Sequence, residues 1–359
     1  MSGRRVFAIL VSPLLLVSAM TQQAGATSSR IVAKYPSECA VVAVRTDSRG
    51  FEHTFANCTR NSTNLSYLDT VSGHVRKFTT SYAGTVLAVA QEHTGTYVLI
   101  ADAQSVLYVA KRDTSGSFLP PHRLGPTTGS TALIAADGQW WAVWSTNAGY
   151  LQARTFAGQK GIPELGPPVW KNSQGLTLVR DPAGLGVAAA WTGDGTTVVG
   201  RARAVDGTWR TVTAGKSDNF GQPRIAVDGR ATYVGYVLRQ ATVLYGNGGS
   251  GSVFREVPLP KDAQTRDDPM VVAGDGHVWI AWDQQGLGYC TGPAPECHGM
   301  NDYFTRLYSV DFHKTWDMTK NVYEGQGISS LIALNLHGGR ARVSYYGCDS
   351  GSLCSSDVG

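Results

Sequence analysis

The sequence predicts an all-β fold, a β-propeller of seven four-stranded blades, from three observations. A glycine-containing turn followed by an aromatic residue six or seven positions later recurs along the chain. The segments between these turns are short, rich in Val, Tyr, Trp and Thr, and interrupted by Gly, Asp and Asn, as strands and turns are. A spare strand-like segment near the N-terminus, Arg30–Lys34, can complete the last blade.

The repeat is clearest at four turn glycines, and two weaker copies extend it. The glycines are Gly95, Gly138, Gly184, Gly229, Gly276 and Gly339, with Gly95 and Gly184 in the weaker copies. Their spacings are 43, 46, 45, 47 and 63 residues. A period of about 40 to 50 residues is typical of propellers and solenoids, and no segment shows helical periodicity. Four short strands per repeat indicate propeller blades.

The blade boundaries follow from this repeat. A first, divergent blade is predicted over residues 39–80, with strands at 40–45, 51–58, 65–68 and 75–78. Six more begin near Val86, Thr131, Leu176, Pro223, Pro269 and Ser329. In the Thr131 blade, strands are predicted at 131–135, 140–144, 150–155 and, more loosely, 168–170. The last blade lacks an outer strand, which Arg30–Lys34 would supply, so that no sheet edge is left open. A six-bladed ring is the alternative, because the first unit matches the repeat poorly.

The repeated aromatic residues are predicted to fill the space between blades. They are Trp144, Trp191, Tyr236, Trp282 and Tyr345. The alternative is that they form ligand-stacking platforms.

The N-terminus reads as a secretory signal peptide over residues 1–26, followed by a single propeller domain over residues 27–359. Arg4 and Arg5 precede an apolar run that ends before the small-residue triplet Ala24, Gly25, Ala26. An uncleaved membrane anchor is the alternative, but Ser12, Pro13 and Ser18 break the run. We therefore expect a secreted, extracellular protein with no membrane span.

Composition excludes some partners and leaves others open. Without Arg4 and Arg5, the chain has 29 of its 31 Lys and Arg residues, compared with 27 Asp and Glu residues. A nearly neutral chain without a clustered basic stretch predicts no nucleic-acid partner. No phosphate-cradling glycine loop and no pair of metal-binding histidines stands out, so no cofactor and no metal are expected. A monomer is expected, with a carbohydrate or an extracellular protein as partner.

The six cysteines form three sequence-local pairs, as expected for an exported protein with disulfides. The pairs are Cys39 with Cys58, Cys290 with Cys297, and Cys348 with Cys354. A zinc site is the competing interpretation, but none of these pairs has the spacing of a zinc knuckle.

The segment Ser309–Trp316 carries a motif in which Ser309, Asp311, Thr315 and Trp316 are spaced as in S-x-D-x-G-x-[ST]-W, with His313 in place of the glycine. Partial copies are KRDTSGSF, with Asp113, Ser117 and Phe118, and RAVDGTW, with Thr208 and Trp209. The motif resembles the Asp box of the sialidase-like secreted propellers. This resemblance implies a structural turn between the third and fourth strands of a blade, away from the catalytic face. Short polar side chains that bond to nearby backbone groups suit such a role.

The same resemblance bears on activity. A sialidase site uses three Arg residues, an acidic Asp, a Tyr and a Glu, and the family carries an Arg-Ile-Pro motif near its first strand. Here Arg30 and Ile31 are followed by Val32, and no complete catalytic set is recognisable. We therefore expect a non-catalytic propeller that binds a glycan or a protein. The alternative is an exo-acting glycoside hydrolase of sialidase type, with Tyr323 and Glu324 or loop aspartates as acid and nucleophile.

Ligand contacts are expected on the face formed by the loops between second and third strands and by the connections between blades. The principal candidates are Asp194, Arg239, Asp283, Tyr323, Glu324 and Asp349. The same loops and connections also supply Asn147, Asp218, Arg266, Asp267 and Asp268. Each could instead be an ordinary solvated turn residue. The longest loop, 283–303, is expected to be stapled by Cys290 and Cys297.

Overall fold

The structure is a computed structural model, and it describes most of the strands and part of the loops. The described residues are 30–34, 40–46, 52–57, 66–71, 74–79, 84–92, 95–113, 118–136, 139–146, 151–157, 160–161, 174–181, 186–193, 195–202, 209–218, 222–249, 253–260, 268–285, 303–317, 330–337, 339–346 and 352–358.

All regular structure among these residues is β, in 28 strands. The first strand is β1 (Arg30–Lys34). Sheet 1 contains β2 (Ala40–Thr46), β3 (Glu52–Asn57), β4 (Ser66–Val71) and β5 (His74–Thr79). Sheet 2 contains β6 (Thr85–Glu92), β7 (Gly95–Ala101), β8 (Val106–Arg112) and β9 (His122–Pro126). Sheet 3 contains β10 (Thr131–Ala136), β11 (Gln139–Ser145), β12 (Leu151–Ala157) and β13 (Lys160–Gly161).

The remaining sheets follow the same plan. Sheet 4 contains β14 (Gln174–Asp181), β15 (Gly186–Gly193), β16 (Thr196–Ala202) and β17 (Trp209–Lys216). Sheet 5 contains β18 (Arg224–Asp228), β19 (Ala231–Leu238), β20 (Ala241–Gly246) and β21 (Arg255–Val257). Sheet 6 contains β22 (Met270–Gly274), β23 (His277–Gln285), β24 (Tyr303–Ser309) and β25 (Lys314–Asp317). Sheet 7 contains β26 (Ser330–His337), β27 (Arg340–Tyr346), β28 (Ser352–Val358) and, as its fourth strand, β1.

Sheet 7 closes the ring with strands from both ends of the chain. Its order is β1-β28-β27-β26, and β1 runs antiparallel to β28 with Arg30 opposite Ser355 and Lys34 opposite Ser352. The other sheets are antiparallel meanders of four consecutive strands. The predicted all-β propeller, closed by Arg30–Lys34, is therefore confirmed.

The core lies between neighbouring sheets, because each sheet presents apolar side chains on both of its faces. One cluster joins Val143 of sheet 3 to Val187 of sheet 4, and another joins Ala281 of sheet 6 to Val343 of sheet 7. Four more clusters connect the other successive sheets from sheet 1 to sheet 6. The first strands of adjacent sheets lie beside one another, including those of sheets 7 and 1, so these strands line the centre of the ring.

The repeated aromatics are buried in these clusters, which confirms their predicted place between sheets. Trp144, Tyr236 and Trp282 are fully buried, and Trp191 and Tyr345 nearly so. Burying such large rings is among the strongest apolar contributions to the core.

One predicted strand is wrong. The fourth strand of sheet 3 was expected at 168–170, but the strand that pairs with the end of β12 is β13, through Phe156 with Gly161 and Ala157 with Lys160. An outer strand pairs on one side and buries few side chains, so its sequence pattern is weak. Residues 168–170 lie outside the described part of the chain.

The expectation that the protein is exported with disulfides and without a membrane span concerns two features of the described residues. Within the described residues, no helix is long and apolar enough to span a membrane. Cys354 is buried in β28 and forms a disulfide. The other five cysteines, and the predicted signal peptide, lie outside the described residues.

Candidate functional site: the loop face of the ring

The two faces of the ring differ in the connections that they carry. The loop face holds the second-to-third-strand turns and the connections between sheets, and it is where each first strand begins. The turn face holds the first-to-second and third-to-fourth turns. The sequence predicted ligand contacts on the loop face.

Arg239 lies on the loop face in a tight turn between β19 and β20. Arg239 and Gln240 both have left-handed backbone conformations, with φ of 50° and 64°. Such two-residue hairpin turns favour Asn-Gly or Gly-Gly, because a side chain at positive φ is strained. The carboxylate of Asp218 accepts a hydrogen bond from the Arg239 backbone N–H at 2.8 Å. The structure thus brings together Arg239 and Asp218, and both Arg239 and Gln240 are exposed.

Asp283 does not lie in a loop, as the sequence suggested, but inside strand β23, where it is buried. One carboxylate oxygen accepts a hydrogen bond from the Thr305 hydroxyl at 2.6 Å, and the other from the backbone N–H of Leu331 at 2.7 Å. Leu331 belongs to the next sheet. Asp283 therefore joins sheets 6 and 7.

Hydrogen bonds between residues about one repeat apart recur around the loop face. Gly175 N–H donates to Ser130 Oγ at 3.0 Å, and the Thr177 hydroxyl donates to the Pro223 carbonyl at 2.7 Å. Gln222 N–H donates to Asp268 Oδ1 at 2.8 Å. These bonds connect successive sheets beside the centre of the ring.

Arg224 begins the innermost strand of sheet 5, and sequence reasoning missed it. Burial lowers the pKa of its guanidinium, and the nearby charge of Asp268 raises that pKa by less. Its Nε is enclosed without a hydrogen-bond partner. Comparison of the repeats could have found this residue, because its position carries uncharged side chains in other sheets, but that comparison needs the strand register.

The other ligand candidates are not positioned by the structure. Asp194, Tyr323, Glu324 and Asp349 lie outside the described residues, as do Asn147, Arg266 and Asp267. Among the described residues, no group of three or more His, Cys, Asp or Glu side chains could hold a metal ion.

The motif Ser309–Trp316 lies on the turn face, between the third and fourth strands of sheet 6. Asp311 accepts a hydrogen bond from the Val278 backbone N–H at 2.8 Å, and Ser309 Oγ accepts one from the Phe312 N–H at 3.3 Å. Trp316 is buried against Trp279, with ring centroids 5.3 Å apart. These contacts hold the turn. Thr315 is exposed.

His313 stands where the motif has glycine, and its backbone explains that preference. Its φ is 50°, the left-handed conformation that glycine adopts without strain.

The chain matches no protein-family model and no curated protein, but its fold is similar to solved structures. The RRP9 WD40 repeats align with a TM-score of 0.55 at 10% identity, covering 92% of this chain and 97% of theirs. The Dos1 propeller aligns with a TM-score of 0.57 at 10% identity, covering 88% and 78%. A chain of the mitotic checkpoint complex aligns with a TM-score of 0.56 at 12% identity, covering 100% and 99%.

At these identities the likeness shows the fold alone. The sheets described above are the blades of a β-propeller, and the fold places the protein in this structural class.

Proposed function

We propose that the protein is a secreted, sialidase-like β-propeller that binds a glycan or a protein through its loop face without catalysing a reaction. The proposal rests on the hydrogen bonds made by loop-face carboxylates that the structure describes. Asp218, Asp268 and Asp283 each accept a hydrogen bond from a backbone N–H. Carboxylates bound in this way hold the scaffold.

Hydrolysis of a glycoside makes a different demand. It needs a carboxyl group that is free to exchange a proton with the leaving group and, opposite it, a nucleophile, which is a second carboxylate in most glycosidases and a tyrosine in sialidases. Asp283, the candidate best described, is buried with both oxygens bonded. Asp283 is therefore unsuited to act as the acid or the nucleophile.

Secretion is supported by the order of charge, apolar run and small residues at the N-terminus, and by the disulfide at Cys354. Disulfides persist in oxidising compartments. The resemblance of Ser309–Trp316 to an Asp box supports the sialidase-like assignment through the position of this turn between third and fourth strands. A protein partner is supported by the similar propeller in a multiprotein complex.

The test combines turnover and binding. The wild type is assayed on fluorogenic sialosides beside Glu324→Gln, and both are applied to a glycan array and to a panel of extracellular proteins. Binding without turnover is the expected result. Sialoside cleavage that Glu324→Gln abolishes would show that the protein is an enzyme.

Localisation of the binding face uses a matched pair of variants. Arg239→Ala removes an exposed cation from the loop face, and Lys314→Ala removes a half-buried cation, which lies over the Trp316 ring, from the turn face. We expect Arg239→Ala to weaken binding and Lys314→Ala to leave it unchanged. The reverse result would move the site to the turn face.

A further inference from the structure

Arg224 occupies a position that sheets 3, 4, 6 and 7 fill with uncharged residues. Strand pairing identifies the position, because it lies opposite the residue just before the repeated aromatic of the second strand. Arg224 pairs with Gly235, which precedes Tyr236. The counterparts in sheets 3, 4, 6 and 7 are Ala132, Thr177, Met270 and Ala333. A charge here is thus specific to sheet 5 among the sheets compared.

The side chain at this position points toward the next sheet. Thr177, the counterpart in sheet 4, donates its hydroxyl to the carbonyl of Pro223 in sheet 5. Gly235, which pairs with Arg224, faces sheet 6, since a Cβ there would lie 2.6 Å from Val271 Cγ2. Arg224 therefore lies over the junction of sheets 5 and 6, where the first strands begin on the loop face.

The guanidinium is in an unfavourable environment. Its Nε is enclosed without a hydrogen-bond partner, although the residue as a whole is partly exposed. Asp268 supplies a nearby negative charge, but desolvation outweighs it and lowers the Arg224 pKa. A partly desolvated charge with an unmet donor destabilises the fold. Groups that lower the stability of the fold in this way are concentrated at functional sites.

We propose that Arg224 binds a single carboxylate of a protein partner, presented by a peptide segment that lies on the loop face at the junction of sheets 5 and 6. This assignment rests on the proposed function of that face and names the chemistry of its partner. Guanidinium groups form two parallel hydrogen bonds with a carboxylate, and the exposed part of the Arg224 guanidinium can offer them, whereas the enclosed Nε cannot.

The surroundings favour this occupant over other anions. Asp268 places a negative charge beside Arg224 and offsets part of the attraction that an incoming anion feels. The remaining attraction grows in proportion to the ligand charge, whereas the penalty for desolvating the ligand grows faster, so a singly charged carboxylate is favoured over a doubly charged phosphate group. Pro269 and Val271 are buried at this junction, where they pack against Gly235 of sheet 5 and hold the two sheets together. Sugar rings commonly stack on aromatic side chains, but the exposed large aromatic among the described residues is Phe312, on the turn face.

The experiment selects peptides from a random display library on the immobilised wild-type protein and measures the enriched peptides against variants. Arg224→Met introduces the residue found at the counterpart in sheet 6. Arg224→Lys keeps the positive charge but removes the planar guanidinium that can form two parallel hydrogen bonds. We expect the enriched peptides to carry Asp, Glu or a required free C-terminus, and Arg224→Met to weaken their binding about tenfold or more. The affinity of Arg224→Lys for these peptides should lie between those of the wild type and Arg224→Met.

Two controls test the pairing itself. Replacing the acidic peptide residue by its amide should weaken binding to the wild type and have no further effect on Arg224→Met. Asp268→Asn keeps an oxygen acceptor for the Gln222 N–H and removes the charge, so peptide binding should strengthen. Inorganic phosphate should compete poorly with the peptide on the wild type.

A thermal melt separates recognition from a structural role. If Arg224 serves binding and lowers the stability of the fold, Arg224→Met should melt at the wild-type temperature or above it. A lower melting temperature, peptides without acidic groups, equal binding to Arg224→Met, or strong competition by phosphate would each overturn the assignment. Glycan or protein binding that is insensitive to Arg224→Met would overturn it as well, while leaving the proposed function intact; sialoside turnover would contradict the proposed function alone.

Discussion

The hydroxyl of Tyr308 lies 3.2 Å from Nδ1 of His313, across the turn in which His313 takes a left-handed backbone. A non-glycine residue in this conformation costs about 1–2 kcal/mol. A side-chain hydrogen bond contributes about 0.5–1.5 kcal/mol and so offsets part of that cost. The pair explains how histidine is accommodated where glycine would be unstrained.

The first prediction concerns this pair. Tyr308→Phe should lower the free energy of unfolding by about 0.5–1.5 kcal/mol, because the hydrogen bond is lost. His313→Gly should have a small net effect, since relief of strain opposes the lost bond. In the His313→Gly background, Tyr308→Phe should be close to neutral. Chemical denaturation of the four proteins measures the coupling, and independent effects would show that the bond contributes nothing.

The second prediction concerns Asp283. Asp283→Ala should destabilise the protein by about 3 kcal/mol or more, because it leaves the Leu331 N–H and the Thr305 hydroxyl without their acceptor. Asp218→Ala, at an exposed site, should cost about 1 kcal/mol. Urea unfolding compares the two. A stable Asp283→Ala protein that had lost its ligand would instead make Asp283 a binding residue.

The third prediction concerns the packing of sheet 5 on sheet 6. Gly235→Ala should destabilise by about 1–3 kcal/mol, since the new methyl group would meet Val271 Cγ2 at 2.6 Å. Val271→Ala removes the obstructing methyl groups. The double variant should therefore be more stable than the sum of the single effects, and simple additivity in thermal melts would refute the contact.

The fourth prediction concerns alkaline pH. Burial, and secondarily neighbouring Tyr245, raises the pKa of the Tyr236 phenol above its ordinary value. The neutral phenol therefore stabilises the fold fully below about pH 10, and this contribution is lost as pH rises further, because the unfolded chain ionises first. Tyr236→Phe should flatten the alkaline decline in stability. An unchanged slope would assign the decline to other groups.

The fifth prediction concerns the disulfides. Peptide mapping without reduction should recover Cys354 linked to Cys348, together with Cys39–Cys58 and Cys290–Cys297. Cys354→Ser should cost about 2–5 kcal/mol, because Cys354 lies in β28 between β27 and β1. A link from Cys354 to Cys39 or Cys58 would contradict the local pairing.

The strands could be predicted well where both faces of a sheet are buried. The first strands begin within two residues of their predicted starts, from Val86 to Ser329, because they carry apolar residues and the second strands beside them carry the repeated aromatics. The outer strand of sheet 3 could not, because the two residues of β13 leave almost no pattern.

The candidate site was harder to predict because it depends on contacts between distant residues. Asp283 follows a strand-like run and reads as a loop aspartate, and its burial becomes visible only when Leu331 is placed beside it. Arg224 reads as an ordinary charged residue after Pro223. Its position opposite Gly235 depends on the register of β18 and β19, which the repeat period alone does not determine.

The pairing of β1 with β28 also determines how the ring would respond to mechanical force. Arg30 lies opposite Ser355, so tension applied outward from the two ends of the chain enters this ladder at the same edge. The load then falls on the hydrogen bonds one after another, as in unzipping, instead of being shared by all of them as in shear. A molecule tethered at both ends would therefore open at this junction at low force, while the other six sheets, whose four strands are consecutive in sequence, stay folded.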